Sequence, residues 1–296
     1  MEPVHRSVLV DEVLRFLEPS GPESVLVDAT LGEGGHSACF LQRYPSLKII
    51  GVDVDATMAA RGAARLAEHG DRVEIVNAWF DEFFSESSVR PDRVLLDLGI
   101  SMYHFSLSGR GFSFRSDEPL DMRLEGGSGA SAADLVNTLG ARELADLIFR
   151  YGEERLSRRI ASRIVDAREE SPVTTSKELA DIIWRAVPPN YRHGRIHPAT
   201  RTFQALRIAV NGELERVERV IPLVLDRLKA GGRLGIISFH SLEDRIVKHR
   251  FRDAAAAGDY EVLTPRPVTP TEVEVRENPA ARSAKLRVIE RKPEAA

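Results

Sequence analysis

Short aliphatic runs alternate with longer segments of helical character along the first hundred residues. Residues 25–28, 48–53 and 93–97 form three such runs, and 72–77 alternates like a strand. Continuous apolar runs of this length are typical of strands that are buried on both faces of a parallel sheet. The intervening segments, such as the alanine-rich 56–68, favour helices. The pattern therefore predicts an α/β fold built on a Rossmann-like sheet.

A glycine-rich turn follows the first of these predicted strands and leads directly into an apolar, helix-like segment. Its glycines are Gly32, Gly34 and Gly35. Glycine permits backbone angles closed to other residues and lets the main chain approach a ligand. About twenty residues on, the second strand ends in Asp53, an acid placed to hold ribose hydroxyls. The pair predicts a nucleoside cofactor, although Ser37 replaces the third fingerprint glycine and a purely structural turn remains an alternative.

Three of the predicted strands end in a carboxylate: Asp28, Asp53 and Asp97. The carboxyl ends of parallel strands meet at one edge of the sheet, which is where open α/β sheets bind ligands. We therefore expect these side chains to line one site, although a single aspartate there is often a turn former or a helix cap. Trp79 and Phe80 follow the third strand, and either ring could stack on an adenine or pack in the core.

The alternation of strands and helices stops after Asp97. Residues 99–131 are rich in Gly, Ser and aromatic side chains, and helix-like segments without a strand follow as far as about residue 211. The pattern predicts helices over 141–151 and 153–170, and a third that begins at Thr175 with a glutamate three residues later, a capping-box sequence. We interpret this part of the chain as an inserted helical domain.

The sheet pattern then resumes. A helix is expected over 213–229, a buried strand over 233–239, a helix capped by Ser241, and a last strand, at the sheet edge, over 284–290. The α/β domain is therefore discontinuous in sequence. The predicted division is an α/β domain over 1–108 and 210–296, and a helical domain for RNA recognition over 109–209.

The end of the predicted insertion is rich in arginine. Between Asp181 and Glu213 the chain has no carboxylate. The basic residues there are Arg185, Arg192, Arg195, Arg201, Arg207, His193 and His197. In a helix over 199–214, apolar residues would share one face and polar residues an adjoining one. This arrangement suits a phosphate backbone, and a solvated arginine-rich face is the alternative.

Composition excludes several classes of protein. The chain has 296 residues and a formal net charge of −4, which gives no overall sign of nucleic-acid binding. Cys39 is the single cysteine, so an intrachain disulfide or a cysteine zinc cluster is excluded. No apolar run is long enough to span a bilayer and no signal peptide is recognisable, so the cytoplasm is the expected location. His240 and Ser241 lack a matched acid for a serine-hydrolase triad.

Seven motifs together carry a family resemblance. In chain order they are His5-x-Ser-Val-Leu9, Asp28-Ala-Thr-Leu-Gly-Glu-Gly-Gly-His36, Gly109-Arg-Gly-Phe-Ser-Phe114, Pro119-Leu-Asp-Met-Arg123, Tyr151-Gly-Glu-Glu-Arg155, His197-Pro-Ala-Thr-Arg-Thr-Phe-Gln-Ala-Leu-Arg207 and Ile237-Ser-Phe-His-Ser-Leu-Glu-Asp-Arg245. The chain resembles the RsmH (MraW) family of bacterial 16S rRNA cytosine-N4 methyltransferases from about His5 to Arg291.

This resemblance implies a class I methyltransferase sheet, S-adenosylmethionine (SAM) as cofactor without a metal, and a decoding-centre cytosine of small-subunit rRNA as substrate. It implies that Gly34, Gly35 and His36 contact the methionine end of SAM. It further places Asp53 at the ribose, Phe80 near the adenine and Asp97 beside the reacting atoms. The family usually has Ser-Ser-Pro-Gln after the fourth strand, with the glutamine at the cofactor. Here Ser101-Met-Tyr-His104 replaces it, so that His104 stands at the cofactor position.

Methyl transfer to N4 requires an acceptor that localises the nitrogen lone pair and takes up developing positive charge. We hypothesise that Asp97 is that acceptor or orients it. Arg195, His197, Arg201 and Arg207 are the candidates that hold RNA phosphates while the base is splayed out. Three alternatives stay open: a methyltransferase for another RNA, a protein or a small molecule; a nicotinamide dehydrogenase; and a non-catalytic RNA-binding relative. Homo-oligomerisation is possible but cannot be read from the sequence.

Overall fold

The computed structural model describes residues 6–127 and 129–293. His5, the first residue of the first motif, lies outside this range. The chain forms two compact units, one over 1–100 and 214–296 and the other over 101–213. The division thus falls after Ile100 rather than after residue 108, and the first unit resumes at Leu214 rather than at residue 210. Among the described residues, no helix is both long and apolar enough to cross a bilayer.

The first unit contains a seven-stranded sheet. Its strands are β1 (Val25–Asp28), β2 (Lys48–Asp53), β3 (Val73–Asn77), β4 (Arg93–Asp97), β5 (Arg233–Ser238), β6 (Tyr260–Val262) and β7 (Lys285–Arg291). The strand order is β3-β2-β1-β4-β5-β7-β6, and β7 runs antiparallel to both of its neighbours, β5 and β6. The Rossmann-like α/β prediction is confirmed. The placement of the last strand at an edge was wrong, because the short, unpredicted β6 pairs outside it.

Fourteen α-helices are described. They are α1 (Val10–Phe16), α2 (Gly35–Arg43), α3 (Ala56–Leu66), α4 (Phe80–Glu86), α5 (Met102–Ser106), α6 (Ala132–Thr138), α7 (Ala141–Gly152), α8 (Ser157–Glu170), α9 (Ser176–Ala186), α10 (Pro189–Arg192), α11 (Thr200–Asn211), α12 (Glu213–Arg227), α13 (Ser241–Ala257) and α14 (Glu272–Glu277). Helices α5 to α11 lie in the second unit, which contains no described strand.

Both faces of the central strands β1 and β4 are buried, which explains why their interior positions are all apolar. Leu26 and Leu95 belong to one buried cluster, together with residues of α1 and α2. Their neighbours Val27 and Val94 belong to a second cluster on the opposite face, together with residues of α12. Successive side chains of a strand point to opposite faces. A strand covered by helices on both sides therefore lacks the alternating polar residues that mark a strand with one exposed face.

Several predicted helix boundaries differ from the structure by a few residues. The helix expected over 153–170 begins only at Ser157. The helix expected over 199–214 ends at Asn211, because Gly212 adopts a left-handed φ of 60° and α12 starts directly after it. The cap of α13 is His240 rather than Ser241, since its side chain accepts the backbone N–H of Glu243. The capping box of Thr175 and Glu178 is present as predicted.

Candidate active site

The turn that follows β1 is tied to the strands on both of its sides. On the β2 side, the Leu31 N–H donates to the Val52 carbonyl at 2.9 Å. On the β4 side, the Ala29 N–H donates to the Leu95 carbonyl at 2.9 Å, and the Thr30 hydroxyl accepts the Asp97 N–H at 2.6 Å. Since the strand order reverses at β1, this rigid turn lies where doubly wound sheets bind their ligands.

Two of the turn glycines have separate structural requirements. Gly34 has a φ of 72° and caps the N-terminus of α2, a left-handed conformation that side chains rarely adopt. A Cβ on Gly35 would lie 2.1 Å from the Ser7 hydroxyl oxygen, so that oxygen fills the space a side chain would need. The first N–H groups of α2 have no partner within the helix, and they carry the positive end of its dipole. This end of α2 can therefore bind a carboxylate.

Asp53 lies at the end of β2 and holds the turn by its carboxylate. Oδ2 accepts the Gly32 N–H at 2.7 Å, and Oδ1 accepts the Asp55 N–H at 2.9 Å. Burial raises the pKa of Asp53 to about 7, although both N–H groups act in the opposite direction. Each carboxylate oxygen has a second acceptor position. Asp53 can therefore organise the turn and still accept a ligand hydroxyl.

Asp28 lies at the same edge but has an inward, structural position. It is 2% exposed, and its Oδ2 accepts the Ser37 hydroxyl at 2.6 Å. Burial is the main cause that raises the pKa of the Asp28 carboxyl above its ordinary value, against the hydrogen bond from Ser37. Its Oδ1 has no hydrogen-bond partner among the described residues. This carboxylate fixes α2 against β1.

Asp97 and His36 place a carboxylate and an imidazole close together at this edge. The Asp97 Oδ1 accepts the Gly99 N–H at 3.3 Å, and its Oδ2 lies 3.5 Å from Nε2 of His36. Both side chains are largely buried, with 13% and 6% of their surface exposed. The three aspartates thus lie on one edge as predicted, and Asp97 is the one that faces an imidazole.

The two aromatic residues after β3 differ in their surroundings. Trp79 is 6% exposed, and the Arg216 guanidinium lies 3.8 Å from its ring centroid. Arg216 also donates to Asp81 at 2.7 Å, so Trp79 is held in a charged and buried cluster. Phe80 begins α4 and is half-buried at the margin of the core. Of these two rings, Phe80 is therefore the one that can contact a cofactor.

These residues fit a nucleoside cofactor with a charged amino-acid end. Both ring nitrogens of His36 and Oδ1 of Asp28 are buried without a hydrogen-bond partner among the described residues. Buried polar atoms without partners are costly and often mark a position that a ligand or water completes. The first turn of α2, Asp53 and Phe80 supply donors, an acceptor and an apolar surface. The edge can hold SAM by these groups.

His104 lies in α5 of the second unit. It is 4% exposed and packs edge-on against the rings of Tyr103 and Phe112, with centroids 5.9 and 5.4 Å away. Its backbone carbonyl accepts the Ser108 hydroxyl at 2.8 Å. In the described structure its role is packing within α5 and the loop that follows. A cofactor contact by His104 stays a prediction.

The predicted RNA-binding residues have unequal surroundings in the second unit. Arg195 is exposed, whereas Arg207 forms a bidentate ion pair with Glu213 through contacts of 2.9 and 2.7 Å. Arg201 donates to the backbone carbonyl of Glu153 at 3.3 Å. Arg195 is therefore the member of the set whose position most directly suits a phosphate contact, while Arg207 joins α11 to the start of α12.

His197 belongs to an aromatic stack. Its ring lies between Phe114 and Trp184, with centroid distances of 4.5 and 5.4 Å and near-parallel planes. The Ala199 N–H donates to its Nδ1 at 3.2 Å, which places the proton of the neutral ring on Nε2. Burial lowers the pKa of His197, and the charge of Asp181 acts in the opposite direction. The neutral ring can therefore stack, but it contributes little positive charge to RNA binding.

Three residues with clear roles were missed by sequence reasoning. Thr30 accepts the Asp97 N–H, and Ser37 holds Asp28. Ser7 fills the space beside Gly35. All three residues lie in or directly beside the family motifs, but no spacing rule connects a hydroxyl residue there to one particular partner.

Sequence comparisons agree with the motifs. The model of the family described as the MraW methylase family matches residues 2–292. A protein of Treponema denticola named "Ribosomal RNA small subunit methyltransferase H" is 52% identical over 307 residues, covering 98% of this chain and 98% of the relative. Relatives of the same name from Leptospira interrogans and a Picosynechococcus species are 44% and 46% identical. They cover 98% and 97% of this chain, and 89% and 97% of their own lengths are matched. The family predicted from the motifs is confirmed, and the chain belongs to the MraW methylase family.

Proposed function

We propose that this protein transfers a methyl group from SAM to the exocyclic N4 of a decoding-centre cytosine in 16S rRNA. The observation that carries the proposal is the 52% identity, over 98% of both chains, to a protein named as a small-subunit rRNA methyltransferase. The cytosine and its N4 atom come from the motif resemblance. The geometry of the site supports cofactor binding at the carboxyl edge of the sheet, with Asp97 as the acceptor for the N4 proton.

SAM supplies a methyl group that is already electrophilic, because it is bonded to a sulfonium sulfur. We assign the methionine end to the first turn of α2, at Gly34, Gly35 and His36. Asp53 accepts the ribose hydroxyls, and Phe80 contacts the adenine. The hydrogen bond from the Gly32 N–H fixes the Asp53 carboxylate in advance, so little conformational freedom is lost when the ribose binds.

The main task of the protein side chains is then to place the acceptor nitrogen and to remove its proton. The N4 lone pair of cytosine is delocalised into the ring, so the amine is a poor nucleophile without an acceptor for its N–H. We assign this acceptor role to Asp97, whose backbone is fixed by the Thr30 hydroxyl and whose Oδ1 is fixed by the Gly99 N–H. Such pre-organisation avoids reorganisation during the transfer.

We further propose that the helical unit over 101–213 recognises the RNA. Its carboxylate-free segment carries an exposed arginine, Arg195, beside Ile196, whose surface is 48% exposed. A cation next to an apolar side chain suits a phosphate and its adjacent, unstacked base. We assign Arg201 and His197 to the same RNA-binding surface, while Arg207 holds α11 against the start of α12.

A binding experiment and a transfer experiment separate this proposal from its alternatives. Titration calorimetry with SAM and with NAD distinguishes a methyltransferase from a nicotinamide dehydrogenase, and we expect heat of binding with SAM alone. Transfer of labelled methyl from SAM to small ribosomal subunits and to naked 16S rRNA then tests the substrate. Binding of SAM without transfer to either RNA would favour another substrate or a non-catalytic relative.

A further inference from the structure

The imidazole of His36 occupies an unusual position for a buried polar group. Its side chain is 6% exposed, and neither ring nitrogen has a hydrogen-bond partner among the described residues. Leaving such a group unpaired is costly, because it loses its hydrogen bonds to water without replacing them. Its Nε2 lies 3.5 Å from Oδ2 of Asp97, slightly beyond hydrogen-bonding distance. A small movement of either side chain would complete this bond.

Both residues extend from rigid parts of the structure. His36 is the second residue of α2, which is fixed to β1 by the 2.6 Å bond from the next residue, Ser37, to Asp28. Asp97 ends the central strand β4, and its backbone N–H and its Oδ1 are both engaged by neighbouring residues. Only its Oδ2 faces the imidazole. Catalytic hydrogen bonds are often long in unliganded enzymes and shorten once the site is loaded.

We propose that His36 is a positioning residue that acts through Asp97, donating its Nε2–H to Oδ2 and so holding the carboxylate plane fixed during methyl transfer. This inference rests on the proposed function, in which Asp97 accepts the N4 proton. In the reaction the bond between sulfur and the methyl carbon breaks as the bond between N4 and that carbon forms. One N4 proton passes to the carboxylate of Asp97, while His36 keeps its own proton throughout.

Three substitutions at one position test the role. Glutamine can present its side-chain N–H at nearly the reach of Nε2, asparagine presents it one bond shorter, and leucine presents none. We expect His36→Leu and His36→Asn to lower kcat at saturating SAM and RNA by about 10- to 100-fold, as misplacement of a reacting group does. His36→Gln should recover most of this loss. The exposed His249 on α13 provides the control His249→Leu, which should leave kcat unchanged.

A purely structural or cofactor-binding role predicts different results. Equal losses in all three His36 variants, or a loss in SAM affinity with kcat unchanged, would overturn the proposal. A second test combines His36→Leu with Asp97→Asn. If His36 acts through Asp97, the double variant should be no slower than Asp97→Asn alone, whereas losses that multiply would refute it.

A measurement that needs no activity makes the inference independent of the substrate. In protein with 15N-labelled histidine, the His36 signal, assigned by its loss in His36→Gln, should report a proton on Nε2. Asp97→Asn should shift that signal. If it reports protonation at Nδ1 alone, or is unaffected by Asp97→Asn, the pairing is wrong. If the pairing is present but wild-type protein methylates no rRNA, the proposed function fails and the contact stands.

Discussion

The Asp53 carboxylate predicts a specific pH dependence of cofactor binding. Its two oxygens accept the N–H groups of Gly32 and Asp55, and burial raises its pKa to about 7. In the proposed complex, the ribose hydroxyls donate to the ionised carboxylate, so SAM binding should favour the charged form and lower the pKa of Asp53. The free protein therefore binds more protons than the complex below pH 7, and affinity must rise with pH until it levels off above that value.

The size of this effect follows from the fraction of Asp53 that is already ionised. With a pKa of about 7, roughly one molecule in eleven is ionised at pH 6 and roughly ten in eleven at pH 8. The expected gain in SAM affinity between these pH values is therefore about tenfold, or about 1.4 kcal/mol. Asp53→Asn removes the titrating group, so this dependence should disappear and affinity at pH 8 should fall.

Calorimetric titration of SAM between pH 6 and pH 8 measures this directly. Comparison with Asp53→Asn removes any pH dependence that arises from SAM itself. The control is Asp71→Asn, the same change at an exposed position, which should behave like the wild type. If the wild-type affinity does not change with pH, or if Asp53→Asn keeps the tenfold dependence, the assignment of Asp53 to the ribose is refuted.

Three further predictions follow from individual contacts. Gly35→Ala should lower the melting temperature and weaken SAM binding, because the added Cβ would lie 2.1 Å from the Ser7 hydroxyl oxygen. The second substitution Ser7→Ala removes that oxygen and should restore part of both. Asp97→Asn should reduce single-turnover methyl transfer by about 10²- to 10³-fold with SAM affinity little changed, which calorimetry and rapid-quench kinetics can separate. Arg195→Ala should weaken RNA binding and reduce the slope of log affinity against log salt by about 0.7–0.9. Arg207→Ala should instead lower the free energy of unfolding, measured with denaturant, by about 2 kcal/mol. The opposite pattern for the two arginines would contradict the assigned surface.

Much of the fold was predictable because its physical causes are local. The interiors of β1, β2 and β4 are apolar since both faces of the sheet are buried there, and these three strands end in the predicted aspartates. β6 was missed because three residues give no measurable alternation. The inner position of β7 could not be predicted without β6, because which strand is the edge depends on all the others.

The chemistry of the site was only partly predictable. The glycine turn and Asp53 follow from a spacing rule, but the approach of His36 to Asp97 joins residues that are far apart in sequence. The same is true of Ser7 and Gly35. Charge patterns were also ambiguous, because an arginine-rich segment does not indicate which arginines already have partners in the fold.

The central claim is that the protein methylates N4 of a cytosine in small-subunit rRNA. Its most direct test is to incubate the protein with labelled SAM and with unmodified small ribosomal subunits or naked 16S rRNA, digest the RNA to nucleosides and identify the product by mass spectrometry. The account predicts N4-methylated cytidine, formed far more slowly with Asp97→Asn. Methylation of another atom or base, or no transfer despite SAM binding, would contradict it.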